Sequence, residues 1–297
     1  MRNISKSYDP KARRYWNLKD LFDTTLNYLK DKKIENPRFN TELIFQHVLG
    51  FKNRVDIYLN FEKEIKEEEK LEIRELIRQR VFERKPIEYI VGKVNFYSYE
   101  FYVREGVLIP RQETEDLIDV VLNIIRNNFN STQLKILDLA AGSGVIGITL
   151  KLLKKDLEIT LSDISKEAID VSKINRDRYN LDVNIVNCDG TTCFKREIFD
   201  IIVSNPPYIE EDIFPTLQDE IKRWEPEIAL ISGKDGLLFH RKNSESIMKV
   251  LREGGYFIFE FGRKEQIEGL KNIYKNFKID IVKDSFGNWR FMIIKKE

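Results

Sequence analysis

The stretch Leu134-Lys135-Ile136-Leu137-Asp138-Leu139-Ala140-Ala141-Gly142-Ser143-Gly144-Val145-Ile146-Gly147 limits the possible folds of this chain more than any other. An apolar strand runs into a turn of small residues, and the pattern predicts a helix from 145 to about 155. Gly142 and Gly144 let the backbone come close to a ligand, and the helix N-terminus offers N–H groups with no partner inside the helix. The next apolar run, 158–162, ends at Asp163, roughly 20 residues on, where α/β folds of this kind place a ribose-binding carboxylate. Strands then continue to alternate with helices, at 183–187, 199–204 and 255–261. Two late strands, 277–282 and 289–294, lie close enough together to form an antiparallel hairpin at a sheet edge. The reading is an α/β sheet that binds its ligand at the carboxyl ends of its strands.

The run 199–204 ends in Asn205-Pro206-Pro207-Tyr208. Neither proline has an N–H to donate and each has a fixed φ, so the turn is stiff and rich in acceptors. That suits a site that accepts both hydrogens of a planar NH₂ group, on an amide or on an exocyclic base amine. The alternative is a rigid strand-ending turn with no chemistry. The glycine turn, the spaced acid and Asn205-Pro206-Pro207-Tyr208 together favour a site, because three strand ends then face one crevice.

A chain of 297 residues with 42% hydrophobic content can bury one large core and a smaller accessory one. Residues 1–15 are polar and read as a flexible extension. Residues 16–84 carry helical stripes, Leu18-Leu21-Phe22-Leu26-Leu29 and Leu43-Ile44-His47-Val48, and read as a domain of four or five helices. Asn36-Pro37 marks a helix start, with Asn at the cap and Pro at the first helical position. His47 reads as a packing residue. Residues 85–110, rich in aromatic and β-branched side chains, read as a hairpin linker, and 111–297 as the main α/β domain. Glu115 reads as a capping or inter-domain pairing residue; for Arg111 that reading and a functional one stand level. The formal net charge is +1, so no global attraction to nucleic acid or acidic membrane is expected. Cys188 and Cys193 read as two separate reduced thiols, and with two histidines in the chain no metal site is expected. No run approaches membrane-spanning length, and the expected location is the cytoplasm.

The motifs resemble those of the class I S-adenosylmethionine-dependent methyltransferases, and more narrowly the PrmC/HemK glutamine methyltransferases that modify peptide chain release factors. The resemblance covers nearly the whole chain. It takes in Asn36-Pro37-Arg38, Pro86-Ile87-Glu88-Tyr89-Ile90-Val91-Gly92 and Leu108-Ile109-Pro110-Arg111-Gln112-Glu113-Thr114-Glu115. Beyond the turns already described it includes Trp224-Glu225-Pro226-Glu227-Ile228-Ala229-Leu230, Gly233-Lys234-Asp235-Gly236-Leu237 and Lys283-Asp284-Ser285-Phe286-Gly287-Asn288-Trp289-Arg290.

The resemblance implies a seven-stranded sheet with its last strand antiparallel, a helical substrate-recognition domain and a hairpin linker. It implies S-adenosyl-L-methionine as cofactor, the backbone of Ala140, Ala141, Gly142, Ser143 and Gly144 cradling its methionine part. Asp163 would accept from the ribose, and Asp189 and Gly190 would lie beside the adenine, with Asn205 also at the cofactor. Ala140 stands where many relatives have Gly, which is tolerable if its φ is negative. Gly190 stands where some relatives have a bulky aromatic. The Asn205 side-chain oxygen and the Pro206 carbonyl would accept the two hydrogens of a glutamine amide, with Pro207 stiffening the turn and Tyr208 walling the pocket. No general base is required. The implied substrate is the glutamine of the release-factor Gly-Gly-Gln loop, and a monomer is expected. Alternatives are a ribosomal-protein glutamine methyltransferase, a DNA adenine-amino methyltransferase and a non-catalytic scaffold of the same fold. The small helical domain and near-zero charge argue against the DNA enzyme, and the intact motifs argue against the scaffold.

Overall fold

The computed structural model describes residues 16–131 and 133–297, so the extension expected at 1–15 lies outside the described residues. The chain divides into two compact units that meet at Val91 and Gly92.

The first unit is helical: α1 (Leu18–Asp31), α2 (Pro37–Leu49), α3 (Arg54–Leu59), α4 (Glu67–Arg78) and α5 (Ile87–Val91). Asn17 caps α1 by accepting from the Asp20 N–H at 2.8 Å. Leu18, Phe22, Ile44, Phe45, Ile57 and Ile73 meet in its core. Two local expectations fail. Asn36 precedes Pro37 as expected, but it adopts φ 47° and its side chain makes no cap bond. His47 is exposed. The buried stripe of α2 contains Thr41, Ile44 and Phe45, and at 3.6 residues per turn position 47 falls roughly a third of a turn off its centre.

The second unit opens with the hairpin β1 (Lys93–Phe96) and β2 (Tyr99–Tyr102), whose two turn residues Tyr97 and Ser98 both have positive φ. A 3₁₀ turn, Gln112–Thr114, leads into α6 (Glu115–Asn128). There follow β3 (Lys135–Leu139), α7 (Val145–Leu153), β4 (Glu158–Asp163), α8 (Lys166–Arg178), β5 (Asn184–Asn187) and β6 (Phe199–Ser204). The chain ends with α9 (Asp219–Trp224), α10 (Leu238–Val250), β7 (Leu251–Glu260), α11 (Ile267–Ile273), β8 (Lys278–Lys283) and β9 (Trp289–Lys295). The seven-stranded sheet has the order β5-β4-β3-β6-β7-β9-β8, with β9 antiparallel to both neighbours. This is the class I methyltransferase sheet that the resemblance implies. Apolar residues fill both faces, because a parallel strand is covered by helices on each side.

Strand order reverses at β3, which lies between β4 and β6, and that is where an open α/β sheet forms its crevice. Two further contacts fix the crevice edge. Arg290 donates to the carbonyls of Phe261 and Gly262 beyond the end of β7 and to the buried Asp284 carboxylate. This gives the Lys283-to-Arg290 motif a structural purpose. Gly147 lets α7 approach the sheet, since a Cβ there would lie 2.3 Å from Leu161 Cδ2 and 3.0 Å from Ile159 Cγ2. Gly147→Ala gains up to ~1 kcal/mol of helix propensity but overpacks this contact by ~1–3 kcal/mol. Net destabilisation is therefore expected in urea unfolding; a stabilised variant would show that α7 can move off the sheet freely.

Candidate active site

The turn after β3 is left-handed at every second residue: φ is 57° at Ala140, 56° at Gly142 and 80° at Gly144. Ala140 thus lacks the negative φ that would make an alanine easy to accommodate here. A Cβ in that region costs roughly 1–2 kcal/mol, so the surroundings must impose the conformation. Hydrogen bonds on successive residues do so. Ser204 Oγ donates to the Leu139 carbonyl at 2.6 Å, and the Ala141 N–H donates to the Ser162 carbonyl at 3.0 Å. The Gly142 N–H donates to Asp163 Oδ2 at 2.8 Å, and Ser172 Oγ donates to the Gly142 carbonyl at 2.8 Å. From inside, the buried Asp138 accepts the Gly147 N–H at 2.8 Å. Burial pushes the Asp138 carboxyl up to about 7.

Asp163 thus does more than face a ligand. Its Oδ1 accepts the Ser165 N–H at 2.9 Å while Oδ2 holds Gly142, so one carboxylate joins the end of β4 to the glycine turn. Burial pushes its carboxyl up and the backbone donors pull it back, the first effect being larger.

These elements wall a cavity of about 280 Å³. Ala140, Ala141, Gly142, Ser143 and Asp163 line it, as do Asp189, Gly190, Asn205 and Pro207. Gly144 does not. It lies behind the wall, where a Cβ would meet Leu161 Cδ1 at 2.9 Å and Ser172 Oγ at 3.2 Å. At Gly142, by contrast, a Cβ would meet nothing within 4 Å, which leaves the backbone open to a ligand. At the far end Gly190 has φ 57°, and a Cβ there would lie 2.3 Å from Asn243 Oδ1. A side chain at this position would be strained by the left-handed backbone and would have to displace the Asn243 side chain. Apolar contact is available instead from Ile164 and Phe239, which also line the cavity.

Cys188 and Cys193 are not separate thiols as the sequence reading expects: a disulfide joins them, with Cα atoms 6.1 Å apart. The reason is local. Thr192 N–H donates to the Asp189 carbonyl and Phe194 N–H to the Thr191 carbonyl, and these tight turns fold the loop back on itself. Cys188 is itself part of the cavity wall, beside Asp189 and Gly190.

A second cavity, of about 120 Å³, is lined by Pro206, Tyr208, Arg111, Ile209 and Leu217. Asn205 lines both cavities, together with Leu108 and Ala229. Its Nδ2 donates to Thr114 Oγ1 at 3.0 Å. Thr114 donates in turn to Glu260 Oε2 at 2.8 Å, and Tyr208 donates to Glu260 Oε1 at 3.1 Å. The Tyr208 phenol is pushed up by burial first and then by the Glu260 charge, so it stays a donor. Gln266 donates to the Tyr208 carbonyl at 2.8 Å and braces the turn. Arg111 pairs with the buried Glu225 at 2.6 Å, and Glu225 also accepts the Ile109 N–H, which explains both flanking motifs. Pairing is thus the observed state of Arg111, although it also lines the second cavity.

Sequence reasoning assigned no role to Thr114, Glu260, Asp138 or Gln266. Glu260 carried a readable signal: it is a lone acid at the carboxyl end of the apolar run Tyr256-Phe257-Ile258-Phe259, where α/β sheets place their sites.

Two family models match: Methyltransferase small domain over residues 114–221 and PrmC N-terminal domain over residues 20–92. The release factor glutamine methyltransferase of Clostridium acetobutylicum is 40% identical over 264 residues, covering 87% of this chain and 90% of the relative. That of Clostridium botulinum is 38% identical over 285 residues, covering 94% and 99%. The chain belongs to the release factor glutamine methyltransferases. Among solved structures, the hMettl16 catalytic domain in complex with the MAT2A 3'UTR hairpin 6 aligns with a TM-score of 0.51 at 14% identity. It covers 78% of this chain and 83% of that one, and the likeness extends to the fold alone.

Release factor glutamine methyltransferases use S-adenosylmethionine, and the cavity fits it. An open glycine backbone and a helix start can receive the charged amino-acid tail, and the Asp163 carboxylate retains lone pairs for ribose hydroxyls. Asp163→Ala removes a charged acceptor and also releases Gly142 and Ser165. We expect cofactor binding to weaken by roughly 1.5–3 kcal/mol in calorimetry with a folded protein. An unchanged dissociation constant would show that the carboxylate has no part in the site.

Proposed function

We propose that this enzyme transfers the methyl group of S-adenosyl-L-methionine to the side-chain amide nitrogen of the glutamine in the Gly-Gly-Gln loop of peptide chain release factors. The observation that carries this reading is the placement of Asn205. It lines both the large cavity and the small one, and its amide nitrogen is engaged by Thr114. Its Oδ1 is then the free acceptor. The large cavity takes the cofactor and the small one takes the glutamine side chain.

An amide nitrogen is a weak nucleophile because its lone pair is delocalised into the carbonyl. The cofactor supplies a methyl group already activated by a sulfonium. What the protein adds is position and charge: Asn205 Oδ1 and the Pro206 carbonyl accept the two amide hydrogens and oppose positive charge growing on the nitrogen. Pro207 keeps the turn rigid and the Tyr208 ring walls the small cavity. The alkylated nitrogen is acidic enough to lose its proton to water, so no dedicated base is assigned.

The helical unit, which runs through α5 to Val91, serves to recognise the folded protein substrate. Specific protein interfaces bury more than about 1,000 Å² in total, which a pocket mouth does not supply. We further propose that the enzyme acts as a cytoplasmic monomer without nucleic acid. No helix among the described residues is long and apolar enough to cross a membrane.

The direct test incubates enzyme, labelled cofactor and purified release factor and maps the mark by mass spectrometry. A mark on any residue other than the Gly-Gly-Gln glutamine would overturn the reading. Asn205→Ala should reduce turnover roughly 100- to 1,000-fold, as loss of one preorganised transition-state contact does, with cofactor affinity within a few-fold of wild type. Near-normal turnover would contradict the assigned role. Removing residues 1–91 should leave weak methylation of a Gly-Gly-Gln peptide and almost none of intact release factor, provided circular dichroism shows a folded core. Equal rates on intact factor would assign the helical unit another purpose.

A further inference from the structure

We infer that Glu260 and Thr114 are positioning residues: through a one-way chain of hydrogen bonds they force Asn205 to turn its oxygen, and not its NH₂ group, toward the substrate. The inference rests on the proposed function and deepens it.

A side-chain carboxamide is nearly symmetric in shape. Asn205 could occupy the same space with oxygen and nitrogen exchanged, and it would then offer two donors to a substrate that brings two donors of its own. Something must choose between the orientations, and the choice can be traced atom by atom. Glu260 is 1% exposed and accepts at both oxygens, from Thr114 at Oε2 and from Tyr208 at Oε1. An ionised carboxylate has no proton, so both hydroxyls must donate to it. Thr114 has a single hydroxyl hydrogen, and it points at Glu260. The Thr114 oxygen can then only accept, so the end of Asn205 that faces it at 3.0 Å must be the NH₂. Oδ1 is left to the cavities. Thr114 is 2% exposed, so water has little opportunity to replace either partner.

The chain also predicts its own failure. A proton on Glu260 lets the carboxyl donate to Thr114, Thr114 can then donate to Asn205, and the carboxamide is free to flip. The groups facing Glu260 are Thr114 and Glu113 from the segment leading into α6, Tyr208 from the turn after β6, and Arg290 from β9. Burial pushes the Glu260 carboxyl up to about 7; Arg290 and the two hydroxyl donors oppose this, and Glu113 adds to it. Active enzyme is therefore the form above that pH, and turnover falls as pH drops through it.

Two arms test the inference in the full-length enzyme. In the kinetic arm, Thr114→Val should lower kcat roughly 30-fold, with cofactor affinity and melting temperature close to wild type. Thr114→Ser restores the hydroxyl and should recover most of the loss. Glu260→Gln should lower kcat at least as much as Thr114→Val and remove the Glu260 share of the acid limb of the kcat–pH profile near 7, leaving the share that Asp138 carries. In the second arm, which needs no substrate, the Asn205 side-chain NH₂ resonance is followed by NMR with selectively labelled asparagine. It should shift with pH around the same midpoint in wild type and in Thr114→Ser, and stay flat in Glu260→Gln and Thr114→Val. A folded Thr114→Val enzyme with wild-type kcat, or an Asn205 resonance insensitive to Glu260, would overturn the inference. If the wild-type enzyme modified no release factor, the proposed function would fall while the resonance arm still decided this point.

Discussion

The parallel register that sets Leu139 opposite Ser162 on one side and opposite Ser204 on the other is the constraint on which the site depends. Because Leu139, Ser162 and Ser204 lie level, the residues next to them must emerge side by side: Ala140, Asp163 and Asn205. Each strand residue advances about 3.3 Å, so a slip of one position would carry the Asp163 carboxylate out of reach of the Gly142 N–H, which it now meets at 2.8 Å. A slip would also turn every apolar side chain to the opposite face of the sheet, and cores on both faces forbid it. The hydrophobic pattern of three strands therefore places the polar groups of the site, although none of those groups takes part in the core.

Polar groups at this edge are held by one another. Ser204 fixes the Leu139 carbonyl, Asp163 fixes Gly142, Gln266 fixes the Tyr208 carbonyl, and Glu260 gathers Thr114 and Tyr208. In a buried setting an unmade hydrogen bond costs about 1–3 kcal/mol, several times a typical surface contact. Such a network tolerates few alternative arrangements. The same rigidity keeps Ala140 left-handed where glycine would be easier, since the bonds at Leu139, Ala141 and Gly142 leave the residue between them no other path.

The sheet and the cavity wall were legible because they follow from periodicity and from small residues at a strand end. Alternating apolar runs located all seven strands of the main sheet, and the short gap before Trp289 identified the antiparallel edge. The family's motifs could be seen, yet their geometry could not. Thr114 lies inside the motif Leu108-Ile109-Pro110-Arg111-Gln112-Glu113-Thr114-Glu115, but its hydroxyl matters only once β6 brings Asn205 beside it across 91 positions of sequence. The disulfide between Cys188 and Cys193 was missed since spacing alone does not reveal how tightly the loop between them turns. His47 was assigned to the wrong face because two overlapping stripes share α2, and only the fold decides which one is buried.

The central claim is that Asn205 presents an oxygen to the glutamine amide at the junction of two cavities. The most direct measurement is a crystal structure of the enzyme with release factor and the demethylated cofactor bound. The Gly-Gly-Gln glutamine should lie in the cavity lined by Pro206 and Tyr208, its amide nitrogen about 2.7–3.2 Å from both Asn205 Oδ1 and the Pro206 carbonyl. A glutamine nitrogen bound elsewhere in that complex would contradict the claim.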